Sequence, residues 1–173
     1  SENIALTSIG ELKLGRLREI AAPKAGERVW ALAIDSRGTV YAATGGAGEI
    51  FRIAGGKCEL LYKSEEPEIL CLAVDKADNL YAGTGPNGLI YRIAADGTPN
   101  LLCDTDSTYV WSLAFNSKGI LYAATGDKGR LLRIADPAKP EVVFETKDPH
   151  VLDIAIDSKD NVYFCPVIRA GDV

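Results

Sequence analysis

The chain has 173 residues and a formal net charge of −5, from 19 basic and 24 acidic side chains. This charge argues against nucleic acid as a partner, because phosphate binding needs a basic surface. Apolar residues make up 47% and charged residues 25%, which is typical of a globular domain, and no apolar run approaches the roughly 20 residues of a membrane-spanning helix. The chain begins at Ser1 and has no methionine, so we expect that a preceding segment was removed.

The first part of the chain, residues 4–22, contains three short apolar stretches, IALTS, GELKLG and RLREIAA. They match the later strands of a repeat that is clearer further on, with its first strand missing. Ile20 precedes Val29 by 9 residues, and the same interval separates Leu60 from Ile69 and Leu101 from Val110. We therefore predict that the chain enters partway through a repeat unit.

Four segments then align with one another. They are VWALAIDSRGTVYAATG from Val29, ILCLAVDKADNLYAGTG from Ile69, VWSLAFNSKGILYAATG from Val110 and VLDIAIDSKDNVYFCPV from Val151. Their central tyrosines, Tyr41, Tyr81, Tyr122 and Tyr163, are separated by 40, 41 and 41 residues. This regularity indicates a repeat architecture.

Each unit is predicted to contain four strands. In the first strand, alternation places Trp30, Leu32 and Ile34 on one face. It places Val29, Ala31 and Ala33 on the other, so both faces must be covered. A second strand ends in glycine, a glycine-rich link leads to a third strand, and a fourth lies near Leu60, Leu101 and Val142. A first strand that is apolar on both faces suits the innermost strand of a propeller blade.

We therefore predict an all-β fold, a β-propeller of four-stranded antiparallel blades with about four repeats of 40–41 residues, forming part of a larger ring. The predicted units are a partial blade at 4–27, blades at 28–67, 68–108 and 109–149, and a partial blade at 150–173. The stretch after Tyr163 departs from the repeat.

Several recurring polar residues have structural interpretations. The first turn of each unit begins with Asp35, Asp75, Asn116 or Asp157, whose side chains are expected to cap that turn. We expect Arg52, Arg92 and Arg133 to be exposed or paired with acids. The glycine-rich links join strand to strand, so they do not fit a phosphate-binding loop. The four cysteines show no metal-ligand spacing and are interpreted as small buried residues, with a disulfide as the alternative.

The form W-x-L-A-x-D-x-x-G-x-x-Y-A-x-T-G resembles bacterial propeller repeats of the two-component-regulator and NHL type, and more loosely WD-type repeats. The resemblance covers residues 29–134 closely and residues 151–165 and 4–22 less closely. It implies an exported or periplasmic sensing or interaction module within a longer chain. It carries over no catalytic residue, because no catalytic motif is matched.

In a propeller, the loops from the outer strand to the next inner strand share one face with the loops between second and third strands. That face is predicted to hold the binding residues Glu65, Glu66, Glu68, Asp106, Tyr109, Asp127, Asp148 and His150. The opposite face carries Arg37, Lys76, Lys118 and Lys159. Asp153 is a candidate channel residue, because its equivalents Ala31, Cys71 and Ser112 are small and a carboxylate there must be solvated or paired. Trp30 and Trp111 are expected in the core.

The sequence thus favours a non-enzymatic interaction or sensing module that binds a protein partner through the loops that carry these predicted binding residues. A small-ligand or carbohydrate binder is the first alternative. An enzyme with a site in the central channel is the second, and we expect the chain not to be one, since a single histidine removes most triads. We expect no metal, no cofactor and no nucleic acid. Peripheral association with a membrane complex is compatible with the sequence.

Overall fold

A computed structural model describes residues 28–167 together with the backbone of two short strands near the N-terminus. The described residues form sixteen strands and no helix, which confirms the predicted all-β propeller architecture. The remainder of the predicted partial blade at 4–27, and the end of the unit at 150–173, lie outside the described residues.

The strands follow the repeat. Strands β1 (Ile4–Leu6) and β2 (Leu12–Leu14) pair with each other. Blade 1 contains β3 (Arg28–Ile34), β4 (Val40–Gly45), β5 (Glu49–Ala54) and β6 (Lys57–Lys63). Blade 2 contains β7 (Glu68–Val74), β8 (Leu80–Gly85), β9 (Leu89–Ile93) and β10 (Pro99–Asp104). Blade 3 contains β11 (Tyr109–Phe115), β12 (Leu121–Gly126), β13 (Arg130–Ile134) and β14 (Glu141–Glu145). Blade 4 is described through β15 (Val151–Ile156) and β16 (Val162–Pro166).

Within each blade, consecutive strands pair antiparallel from the inner strand outward. The four repeat tyrosines lie on the second strands, and each pairs with an alanine of the inner strand. The prediction of equivalent tyrosine positions is therefore confirmed. Neighbouring blades also touch at the inner-strand start, where Gly45 pairs with Glu68 and Gly126 with His150.

Each inner strand carries a β-bulge near its start, in blade 1 between Val29 and Ala31. The extra residue shifts the alternation, so the predicted grouping of Trp30 with Leu32 and Ile34 is wrong. Val29 instead takes the same place as Ile69 of blade 2, which packs together with Leu72 against blade 1. The bulged residue, Trp30 in blade 1, turns towards the end of its own second strand.

The core lies between blades. The cluster at the boundary of blades 1 and 2 joins Tyr41 and Ile50 of blade 1 to Ile69 and Leu80 of blade 2. Equivalent clusters lie at the next two boundaries. We call the side of a blade that faces the next blade in sequence its front face, and the other side its back face. Each buried boundary joins one front face to one back face.

The turns use their acids as predicted. Asp35 Oδ1 accepts the backbone N–H groups of Arg37 (3.0 Å) and Thr39 (2.8 Å), and Asn116 Oδ1 accepts two N–H groups in the same way. The hydroxyl of the repeat tyrosine reaches the turn aspartate, as between Tyr81 and Asp75 at 3.1 Å. The acids at these positions are therefore explained by the turn itself.

The repeated arginines also behave as predicted, since Arg52 pairs with Glu59 and Arg133 with Glu141.

The cysteines differ among themselves, and all four are free thiols. Cys71 and Cys103 are buried as expected. Cys58 is half-buried and Cys165 is exposed, so the interpretation as small buried residues is wrong for Cys165. Cys165 lies on the front face of blade 4, which no described residue covers.

Candidate functional site: the loop face and its aromatic rim

Two sets of loops meet on one side of the blades, and we call this side the loop face. One set consists of the links between second and third strands, residues 45–48, 85–88 and 126–129. The other set joins each blade to the next, residues 64–68, 105–109 and 146–150. The sets are held together by backbone hydrogen bonds, such as Ser64 N–H to the Gly48 carbonyl at 2.8 Å. Glycine is required at Gly48, because its φ is +61° and a Cβ there would overlap the Glu66 carbonyl.

An aromatic cluster lies on the loop face at the boundary of blades 3 and 4, and we call it the aromatic rim. Tyr109 and Trp111 stack with ring centroids 4.9 Å apart, and His150 packs edge-on against Trp111 at 5.8 Å. All three side chains are partly exposed. The indole Nε1 of Trp111 donates to His150 Nδ1 at 3.2 Å, and the backbone N–H of Asp127 donates to the same atom at 3.4 Å. Because an indole nitrogen and a backbone N–H only donate, Nδ1 of His150 is the acceptor in both hydrogen bonds.

The glycine that ends each second strand makes room for this rim. A Cβ on Gly126 would overlap Trp111 Nε1 and would lie 2.6 Å from His150 Nδ1. The same position in blade 2, Gly85, faces Leu70 and Tyr109. The Tyr-Ala-x-Thr-Gly pattern therefore ends in glycine because the bulged inner-strand residue lies over it.

A polar cleft lies beside the rim, between the loops of blades 2 and 3. Its cavity of about 270 Å³ is lined by Pro86, Asn87, Asp104, Asp106, Ser107, Thr108, Asp127 and Lys128. Lys128 Nζ contacts Asp106 Oδ2 at 2.7 Å, and with Arg130 nearby it holds the pKa of the Asp106 carboxyl below its usual value. Thr108 donates to Asp127. The cleft is therefore rich in carboxylates, one of which is already paired with Lys128.

Glu66 differs from the exposed acid that the sequence indicated. It is only 7% exposed, at the boundary of blades 1 and 2. Its Oε1 accepts from Asn87 Nδ2 at 2.7 Å, while Oε2 is buried without a partner among the described residues. The loop that carries Gly48 packs on the Glu66 backbone, and Asn87 of the next blade contacts its side chain. The neighbouring Glu65 is exposed.

The other predicted residues are spread over the loop face. Glu68 is half-buried at the start of β7, where it pairs with Gly45. Asp148 is half-buried, and its backbone N–H bonds to Thr146 Oγ1 at 3.1 Å. The structure thus brings together Tyr109, Asp127 and His150, whereas Glu66 and Glu68 lie at another blade boundary. The binding roles of all these residues remain predictions.

Asp153 lies on inner strand β15 and is exposed. Its Oδ1 accepts a hydrogen bond from Ser112 Oγ of blade 3 at 2.8 Å and another from the Ile154 N–H at 2.9 Å. The carboxylate is therefore paired, one of the two states that the sequence allowed.

The opposite side, which we call the turn face, uses its cations for contacts within the fold. Arg37 pairs with Asp35 at 3.1 Å and lies 3.7 Å from Asp78 of the next blade. Lys76 Nζ donates to the Ser117 carbonyl at 2.6 Å. No group of three or more metal-ligating side chains occurs among the residues that the structure describes.

The exposure of the two tryptophans was not predicted from the sequence. The core prediction is wrong for Trp30, which is 48% exposed within the described residues, and Trp111 is only partly buried. One signal was available: Leu70 and Leu152 occupy the same repeat position, so the fold does not require an aromatic side chain there.

Comparisons with known proteins identify the fold and leave the family open. No protein-family model and no curated protein matches the chain. A virginiamycin B lyase from Staphylococcus aureus matches with a TM-score of 0.69 and 19% identity over 80% of this chain and 48% of the lyase. A nidogen/laminin complex matches with a TM-score of 0.74 and 14% identity over 93% of this chain and 64% of the matched chain. An extracellular domain assigned to a one-component system of B. thetaiotaomicron matches with a TM-score of 0.68 and 14% identity, over 92% and 23% of the two chains.

These identities show a shared propeller-like fold alone, and this chain spans about half the length of the lyase structures it matches. They nevertheless correct one expectation. The prediction that the chain is not an enzyme is wrong, because enzymes and interaction proteins both stand among the structures that share its fold. Within the described residues, no helix is long and apolar enough to cross a membrane.

Proposed function

We propose that this chain is a recognition module that binds a protein or peptide partner through its loop face, with the aromatic rim as the centre of contact. The observation that carries the proposal is the partly exposed cluster of Tyr109, Trp111 and His150. Leucine fills the tryptophan position in blades 2 and 4, so the fold leaves this aromatic group unexplained. Tryptophan and tyrosine are enriched among the side chains that dominate binding energies.

The charges favour a partner with basic side chains. Glu65 and Asp127 are exposed on the loop face, and the whole chain has a net charge of −5. On the turn face, Arg37 and Lys76 already contact neighbouring blades. An acidic loop face steers basic partners, and this steering weakens as salt screens it.

The polar cleft supports a second candidate, the binding of a small cationic or hydroxyl-rich ligand. Its carboxylates can accept hydrogen bonds from such a ligand, and Asp127 joins the cleft to His150. A catalytically inactive histidine-to-alanine variant of the matched lyase is known with quinupristin.

An array of immobilised peptides graded in basic and aromatic content tests the first proposal. Binding of the wild-type chain should rise with both contents and fall with salt. Trp111→Leu keeps a residue that the repeat accepts, and should weaken binding about tenfold or more. Glu65→Lys should weaken it too. Glu141→Lys on outer strand β14, which breaks only an exposed ion pair with Arg133, is the charge control.

The same array separates the two candidates. Unchanged peptide binding by Trp111→Leu would overturn the proposed role of the rim. Binding of free amines or sugars that is lost in Asp127→Asn and kept in Trp111→Leu would favour the small-ligand candidate.

A further inference from the structure

Two of the blade boundaries are fastened on the turn face by the same pair of hydrogen bonds. At the boundary of blades 1 and 2, Ser36 donates its backbone N–H (2.8 Å) and its Oγ (2.7 Å) to the two carboxylate oxygens of Asp78. At the boundary of blades 3 and 4, Ser117 donates the same two groups to Asp160, both at 2.7 Å. The serine belongs to the earlier blade and the aspartate to the later one. We call this pair the serine–aspartate clasp.

The residues that form the clasp occupy fixed positions in the first turn of each repeat unit. The donor is the second residue of the turn, and the acceptor is the fourth, where Asp78 and Asp160 have φ values of +61° and +64°. The boundary of blades 2 and 3 has neither partner, because blade 2 has Lys76 and blade 3 has Gly119. There Lys76 Nζ donates to the Ser117 carbonyl instead. A clasp therefore forms where a serine turn precedes an aspartate turn.

Blade 4 has both residues. Asp160 is used by blade 3, whereas Ser158 is exposed at the donor position and has no partner among the described residues. The front face of blade 4 is also exposed at strand β16. Tyr163 is 57% exposed, whereas its equivalent Tyr41 is 7% exposed beneath blade 2. Cys165 is exposed where Ala43 and Ala124 are fully buried.

The inner strand of blade 4 also has a polar side chain at the position that crosses a boundary, although one of its oxygens is already paired with Ser112. In blade 2, Cys71 Sγ donates to the Val110 carbonyl of blade 3 at 3.3 Å. In blade 3, Ser112 Oγ contacts the backbone N–H of Ile154 in blade 4 at 3.3 Å. Asp153 occupies the same position in blade 4. Its Oδ2, which has no hydrogen-bond partner among the described residues, can accept from an inner-strand N–H of a following blade, as Ser112 Oγ does from Ile154.

We propose that the front face of blade 4 is a docking surface for a further β-blade whose first turn ends in aspartate. Ser158 closes a third clasp with that aspartate, Asp153 accepts an inner-strand N–H, and Tyr163 and Cys165 are buried beneath the arriving blade. Within this molecule, two boundaries show the clasp and two show the inner-strand contact. Blade 1 of a second copy does not meet it, because Gly38 occupies the acceptor position.

The missing acceptor in blade 1 can be supplied by a single substitution, which tests the proposal. Gly38→Asp gives blade 1 the missing acceptor. The position has a φ of +82°, in the left-handed region where Asp78 and Asp160 have +61° and +64°, and nothing lies within 4 Å of a Cβ there. On the back face of blade 1, Leu32 and Ile34 are 56% and 65% exposed within the described residues. The full chain carrying Gly38→Asp should therefore associate head to tail.

Sedimentation equilibrium should show self-association of Gly38→Asp about tenfold or more tighter than that of the wild type, because a carboxylate with two donors is a strong hydrogen-bonding pair. Adding Ser158→Ala should abolish the gain. Reaction of Cys165 with a thiol reagent should slow in the associated form. Gly119→Asp, the same change at an internal boundary, should leave association at the wild-type level.

The proposal is overturned if Gly38→Asp associates no more tightly than the wild type, if the gain survives Ser158→Ala, or if Cys165 stays equally reactive on association. Gly38→Asn keeps an acceptor oxygen and the left-handed backbone, and it replaces Gly38→Asp should the aspartate variant fold poorly.

Discussion

Trp111 and His150 belong to different blades and share one hydrogen bond, from the indole Nε1 to the imidazole Nδ1 at 3.2 Å. Both lie over Gly126, whose missing side chain leaves room for them. The orientation of the aromatic rim thus depends on a residue that has no side chain of its own.

Gly126→Ala should displace the rim without changing its residues. The added methyl overlaps Trp111 Nε1, so the indole must move outwards, at a cost of about 1–3 kcal/mol of stability. In a Trp30→Phe background, where Trp111 is the one remaining tryptophan, its fluorescence should shift to the red and become easier to quench.

Gly119→Ala is the control for this prediction. Gly119 has a φ of +77° and nothing near a Cβ, so its cost of about 1 kcal/mol is conformational and the fluorescence should not change. An unchanged spectrum in Gly126→Ala would contradict the close packing at the rim.

Glu66→Gln should leave stability unchanged or raise it by about 1 kcal/mol. The carboxylate is buried with one oxygen unpartnered, and an unpaired buried charge costs more than a neutral amide of the same shape. The glutamine oxygen can still accept from Asn87. Asn87→Ala should instead lower the free energy of unfolding by about 1–3 kcal/mol, because it leaves Glu66 without its partner.

Urea unfolding of both variants measures these changes. A loss of stability in Glu66→Gln as large as that in Asn87→Ala would show that the negative charge itself is needed, and would direct the search to a cationic group at Oε2.

The fold was predictable because its signal is local and repeated. The spacing of Tyr41 and Tyr81 and the turn acids report the repeat directly, and one blade predicts the next. The inner-strand bulge was not predictable in this way. An extra residue within an apolar run leaves the run apolar, so nothing in the composition shows that Trp30 leaves the face of Leu32.

The site was harder to predict, because exposure depends on packing between distant residues. Glu65 and Glu66 are chemically alike and adjacent, yet only Glu66 is buried, with its backbone against the loop that carries Gly48 and its side chain against Asn87. Trp111 is predicted in the core because Leu70 and Leu152 fill the same repeat position. Leu70 is buried, whereas Leu152 is exposed, so this position does not by itself determine burial.

The four thiols should react in two classes. Burial raises the pKa of Cys71 to about 12 and that of Cys103 to about 11, so neither forms a thiolate at neutral pH. Cys165 is exposed and should react fastest with a thiol reagent, followed by the half-buried Cys58. Mass spectrometry of the partly labelled native chain measures the order. Labelling of Cys71 before Cys165 would contradict the described boundary between blades 2 and 3.

Asp35→Asn should remove a pH-dependent part of the stability. Burial of Asp35 tends to raise the pKa of its carboxyl, but hydrogen bonds from Thr39 and Arg37 outweigh burial and hold the pKa below its usual value. A carboxyl with a lowered folded-state pKa stabilises the fold fully above its unfolded pKa of about 4, and this contribution disappears as the pH falls through the folded value.

Asparagine cannot ionise, although it keeps the turn, as Asn116 does in blade 3. The wild type should therefore be more stable than Asp35→Asn at neutral pH, with the difference shrinking below about pH 4. Urea unfolding across a pH series measures this, and Asn116→Asp is the reverse control, which should gain stability above about pH 4. A difference that stays constant with pH would mean that the ionised carboxylate does not stabilise this turn.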